Sequence, residues 1–68
     1  MTGREFRAAL RTLGIRQYEF AAYVGRHAQT VSTWVKEGPP LMAQRLVEAD
    51  LDRARLLRVI RELSEVAA

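Results

Sequence analysis

Apolar residues recur at spacings of three and four along most of this chain, interrupted by glycines and one proline pair. Phe6, Leu10 and Leu13 fall on one helical face, Thr2-x-x-Glu5 forms a capping box ahead of them, and Gly14 stands where a C-cap belongs. The pattern predicts a first helix from about Gly3, with Arg4, Arg7 and Arg11 on its opposite face. A second helix is predicted over residues 17–24, with Ala21 and Val24 facing the core beside one or more of Tyr18, Phe20 and Ala22. Tyr18 and Tyr23 read as partly buried edges. Gly25 then supplies the left-handed backbone of a sharp turn. A third helix is predicted over residues 28–36. Val31 and Trp34 centre its buried side, and Gln29, Ser32, Thr33 and Lys36 share the other. Gly38 closes it, Pro39 or Pro40 opens a fourth helix, and Leu41, Leu46 and Val47 give that helix its apolar face.

Residues 41–68 contain neither glycine nor proline. Asp50 or Asp52 fits the N-cap of a fifth helix. One long helix is the competing reading, because Met42, Leu46, Ala49, Arg53, Leu56, Ile60 and Leu63 keep the 3–4 spacing throughout. Arg53 interrupts that seam, which favours two helices with a kink or short turn near residues 49–52. Leu56, Leu57, Val59, Ile60 and Leu63 cover an arc of about 160°, wider than one side of a small core needs. Arg58 with Glu62 and Arg61 with Glu65 form i,i+4 pairs on the other side. Residues 52–66 are therefore expected to be a dimerisation helix, with Leu56, Leu57, Ile60 and Leu63 at the interface.

Sixty-eight residues make one domain, spanning residues 1–68, and a chain this short buries a marginal core. With no cysteine and one histidine, neither a disulfide framework nor a zinc site is expected. No apolar run approaches the ~20 residues of a membrane span, and the N-terminus lacks the apolar stretch of a signal peptide. The expectation is a cytoplasmic protein without metal or cofactor. Charge is unevenly placed. Residues 1–36 carry six basic side chains against Glu5 and Glu19, a net +4, whereas residues 37–68 are net −1. The basic half calls for a polyanionic partner.

Gln17, Ala21, Gly25, Val31, Ser32, Trp34 and Gly38 stand in one register over 22 positions. In that register the chain resembles the Cro/lambda-repressor-like (XRE) helix-turn-helix family. The resemblance covers roughly residues 2–46. It implies an all-α fold, here a small five-helix bundle with a lambda-repressor-like helix-turn-helix. It further implies that Gln17 contacts the DNA backbone, that Ala28, Gln29 and Thr33 face base edges, and that Arg26, Thr30 and Lys36 lie near phosphates. Two positions depart from the family pattern: Arg16 and His27 stand where Ser or Thr usually caps the second and third helices.

The residue chemistry agrees with that implication. Gln29 can pair bidentately with adenine, Ser32 and Thr33 are versatile partners, and methyl groups of Ala28 or Thr33 can meet thymine. His27 at the start of the third helix adds a donor. The expected base-reading set is therefore His27, Ala28, Gln29, Ser32 and Thr33. The expected phosphate set is Gln17, Arg7, Arg11, Arg26, Thr30 and Lys36. The sequence thus reads as a dimeric, sequence-specific binder of double-stranded DNA at a palindromic operator. A repressor acting by promoter occlusion is expected, in some cases on its own operon. It is similar in size and pattern to short phage or mobile-element regulators, anti-CRISPR-associated repressors among them. The rival reading is a protein-interaction module such as a small antitoxin or adaptor. An RNA binder lacks the exposed aromatic platform it would need, and no nucleophile–base pair points to an enzyme.

Overall fold

Helix α1 (Gly3–Leu13) begins at the capping box. Thr2 Oγ1 accepts from the Glu5 N–H at 3.1 Å, and Glu5 Oε1 accepts from the Thr2 N–H at 2.8 Å. The bonds to Thr2, its backbone N–H foremost, hold the Glu5 carboxyl below its ordinary pKa. Residues 1–67 of this computed structural model are described, with side chains for residues 1–65.

Helices α1 and α2 (Gln17–Val24) stop in the same way. Gly14 and Gly25 take φ of 72° and 71°, and the residue after each glycine donates back to the last turn. Ile15 N–H reaches Leu10 O at 3.0 Å, and Arg26 N–H reaches Ala21 O at 2.9 Å. This is the Schellman arrangement, which needs a residue free of a Cβ in the left-handed region. Three residues, 25–27, then lead directly into α3 (Ala28–Glu37), which closes at Gly38.

The remaining helix, α4 (Leu41–Ala67), is one unbroken run of 27 residues. Four helices, not five, make up the described residues, and the expected fifth helix and the turn near residues 49–52 are corrected. A break would surrender several backbone hydrogen bonds, and the two aspartates are only mildly poor helix formers. Nor does Arg53 force a kink. The seam it interrupts faces solvent, so no packing there rewards bending the helix.

The core fills the space between α1, α2, α3 and the first half of α4. Phe6, Ala9, Leu10, Phe20, Ala21, Val31, Ala43 and Val47 are buried. Three aromatic rings meet edge to face at its centre. Phe6 and Phe20 lie 5.4 Å apart, Phe6 and Trp34 6.3 Å, and Phe20 and Trp34 6.4 Å. Trp34 is half-buried, so it closes this junction from one side. Other expectations are adjusted. The inward face of α4 is Ala43 and Val47, with half-buried Leu51 packed against the core; Leu46 is half-buried at the margin of that face, and Leu41 is exposed. Tyr18 and Tyr23 are exposed, at 59% and 64%, rather than core edges. Phe20 alone among the open α2 positions is buried, and Ala22 is exposed.

Gly3 has a role that local propensity hides. It is buried against the last turn of α3, and a Cβ there would overlap the Val35 carbonyl oxygen. Backbone cannot yield as a flexible side chain can. Gly3→Ala should therefore destabilise the fold by about 1–3 kcal/mol, although alanine is the better helix former. Thermal or urea unfolding checks this, and an unchanged or raised midpoint contradicts the close approach. Phe20→Ala should cost ~3–5 kcal/mol, and Trp34→Ala less because that ring is partly exposed. The same unfolding series tests the ranking, which fails if Trp34→Ala is the more damaging.

Candidate nucleic-acid interface

Helix α3 is held from behind by Val31, fully buried, and by half-buried Trp34 and Val35. Those anchors fix which side turns outward. Gln29, Thr33 and Lys36, at steps of four and three, are all exposed on the far side. Ser32 is half-buried at the margin of this stripe. Thr33 Oγ1 donates to Gln29 O at 3.1 Å. Its proton is thus committed to the helix, and the threonine presents a methyl group and an acceptor lone pair. The Gln29 side chain is exposed and keeps both a donor and an acceptor for an outside partner.

The N-terminus of α3 has no side-chain cap. His27 occupies the cap position without a side-chain bond, and its carbonyl accepts from Thr30 N–H at 3.0 Å. His27 and Ala28 are exposed beside Arg26. Backbone N–H groups of the first turn and the positive end of the helix dipole therefore face solvent next to a guanidinium. One shallow hollow is lined by Arg26, His27, Thr30 and Trp34, together with Pro40 and Met42. Thr30 is half-buried there, on the side of α3 toward α4. It does not share the outward stripe.

A second basic surface lies where α1 ends and α2 begins. Arg7, Arg11, Arg16 and Gln17 line one concavity with Leu10, Gly14 and Ile15. Arg4 joins Arg7 and Arg11 around a second, over Ala8. The α2 N-terminus opens at Gln17, which is half-buried. Its cap residue, Arg16, donates its own backbone N–H to Glu19 Oε1 at 2.9 Å. The arginine side chain has donors alone, so it closes no capping box and stays free for an anion.

Arg7, Arg11 and Gln17 thus share one concavity at the α1–α2 turn, and Arg26 and Thr30 share a separate hollow at the start of α3. Lys36 stands apart, at the C-terminal end of the outward stripe. Arg16 belongs with the first group and was missed in the sequence, where it registered as a lost cap. The signal was there: Gly14 folds the chain back between Arg11 and Arg16, so the two arginines meet across the turn. Among the described residues no group of His, Asp or Glu side chains could hold a metal ion. No helix of the described residues is long and apolar enough to cross a membrane.

Arg11 and Arg16 are exposed, so alanine at either should leave stability within about 0.5 kcal/mol of the parent. Each variant should nonetheless elute from a heparin column at lower salt, because the concavity loses one anion contact. Unchanged elution for both would show that this surface does not gather anions.

Comparison with family models, curated proteins and solved structures returns no match to this chain.

Proposed function

We propose that this protein is a sequence-specific binder of double-stranded DNA, acting as a homodimeric repressor in the cytoplasm by occluding a promoter. In this reading α2 and α3 form a helix-turn-helix, and α3 is the recognition helix. One observation carries the proposal. A ten-residue helix presents Gln29, Thr33 and Lys36 outward from a rigid aromatic junction, with Arg26 and His27 lining a hollow at its N-terminus and a further arginine-lined concavity at the α1–α2 turn. An α-helix is about 10–12 Å across with its side chains, which fits a major groove about 12 Å wide, and ten residues give about 15 Å of length within it.

The roles divide by chemistry. Gln29 is the principal base reader, because its amide offers a donor and an acceptor together to adenine. Ser32 and the Thr33 methyl and acceptor read neighbouring bases, and Ala28 and His27 meet the groove at the helix start. Arg26 and the open N-terminus of α3 take a phosphate on one flank. Gln17, Arg7, Arg11 and Arg16 take the backbone on the other. Lys36 neutralises phosphate at the far end of the helix. Thr30 lines the same hollow as Arg26 and adds a hydroxyl toward the same phosphate. Phosphate contacts set register and base contacts set sequence. The net +4 of residues 1–36 suits this division.

A second reading has its own support. Leu56, Leu57, Ile60 and Leu63 are 50–63% exposed on α4, which suits a protein-interaction module such as a small antitoxin. The two readings separate in one titration series. An operator is first selected from random duplex DNA, and binding is then measured against it and a scrambled duplex at several salt concentrations. Gln29→Ala should lose ~1–3 kcal/mol on the operator and almost nothing on the scrambled duplex. Arg7→Ala, Arg11→Ala and Arg26→Ala should weaken both and lower the salt slope by about 1 per subunit. Equal losses for Gln29→Ala on both duplexes would remove it as a base reader. Failure of the parent protein to prefer any duplex would favour the protein-interaction module.

A further inference from the structure

Helix α4 carries two apolar stripes on different sides. Ala43, Val47 and Leu51 pack inward on the core. Leu46, Ala49, Arg53, Leu56, Ile60 and Leu63 follow alternating steps of three and four on another side. At 100° per residue, Ile60 stands about 140° around the helix from Val47. Alternating steps of three and four are the repeat of a coiled-coil seam. Every described residue from Asp52 onward is exposed, so no part of this chain covers the second stripe among those residues. Leu56, Leu57, Val59, Ile60 and Leu63, each 45–63% exposed, form a contiguous apolar patch. Each shows about half its surface, which brings the patch to the several hundred Å² that mark interaction sites. Doubled by symmetry, it approaches the ~1,000 Å² of a specific interface.

We infer that a second copy of this chain covers the patch, with the two α4 helices antiparallel and crossing about position 58. The inference rests on the homodimer already proposed and gives it a geometry. The charges and the edge residues decide the direction. Parallel pairing sets Arg53 against Arg53 of the other copy in the middle of the seam. It also sets Leu57 against Asp52 of the other copy across one edge. Antiparallel pairing about position 58 places Ile60 on Leu56 of the second copy, twice by symmetry. Leu57 then meets its own equivalent along one edge, and Val59 meets its own along the other. Edge positions of such seams are usually charged, and these two are apolar where the two-fold axis passes. Arg53 moves to the end of the contact, opposite Leu63 of the second copy, with its guanidinium free to reach water. The inward stripe lies about 140° away, so the two three-helix bodies fall on the outer sides of the pair and leave the seam clear.

The absence of cysteine lets one thiol be placed cleanly. Glu48 is exposed, bonded to Gln44 of its own helix, and off the seam. In spin-labelled Glu48→Cys, antiparallel crossing at position 58 sets the two labels about 30 Å apart along the helix axis. Parallel pairing sets them near the ~10 Å separation of packed helices. A pulsed-EPR distance of about 30 Å or more in the dimer is the expected result. Leu57→Glu and Leu57→Lys should each be monomeric alone and pair when mixed, since each residue meets its own copy. A label distance near the helix separation overturns the antiparallel crossing while leaving the homodimer intact. A parent protein that sediments as a monomer yet binds its selected operator overturns the pairing and leaves the reading of α3 standing.

Discussion

The edge-to-face meeting of Phe6, Phe20 and Trp34 fixes the angle at which α3 leaves the core. One ring comes from each of the first three helices, so none of the three can shift without disturbing the other two. Such aromatic pairs add roughly 0.5–1.5 kcal/mol each beyond the area they bury. With eight buried apolar residues among those described, that is a large share of the stability. Val31 then seats the middle of α3, and the Gly3 backbone lies against its last turn. With the helix fixed at its middle and its end, the outward direction of Gln29 and Thr33 follows. The proposed function depends on this constraint, because a base reader must be placed to within a fraction of an ångström to discriminate.

The single long α4 gives the molecule its proportions. It is 46 Å long and 21 by 17 Å across, because a helix of about 40 Å runs past a small three-helix body. Its first half completes the core, and from Asp52 onward its described residues are exposed. The apolar residues change side along the way, so one helix serves two surfaces.

Much of the first three helices was legible in the sequence, because their limits are set by residues with unusual backbone chemistry. Gly14, Gly25 and the Thr2–Glu5 box end or start helices through bonds any reader can anticipate. The last helix was not legible in the same way. Whether a run of good helix formers breaks is decided by the cooperativity of its hydrogen-bond ladder, and Arg53 signals a kink only if its face is inside. Which face is inside depends on Ala43 beside Val47: the valine marks the apolar face in the sequence, but the alanine that joins it is too small to signal burial, and exposed Leu41 points elsewhere. Gly3 was hidden for a similar reason: its neighbour, the Val35 carbonyl, is distant in sequence. At the candidate site the outward stripe of α3 follows from its period. The joining of Arg16 to Arg7 and Arg11 follows only from how the Gly14 turn folds α2 back on α1. Val66 ends the stretch expected to pair, and its side chain lies outside the described residues.

The central claim is that the outward side of α3 meets duplex DNA, and amide chemical shifts of the labelled protein report on it residue by residue. On titration with a selected operator duplex, the largest shifts should fall on residues 26–36 and on Arg16 and Gln17, with smaller ones along the arginine face of α1. Residues 56–63 should stay unmoved, since the second copy covers their surface in the proposed dimer. Shifts confined to residues 56–63, or spread evenly over every basic side chain with no focus on α3, would contradict it.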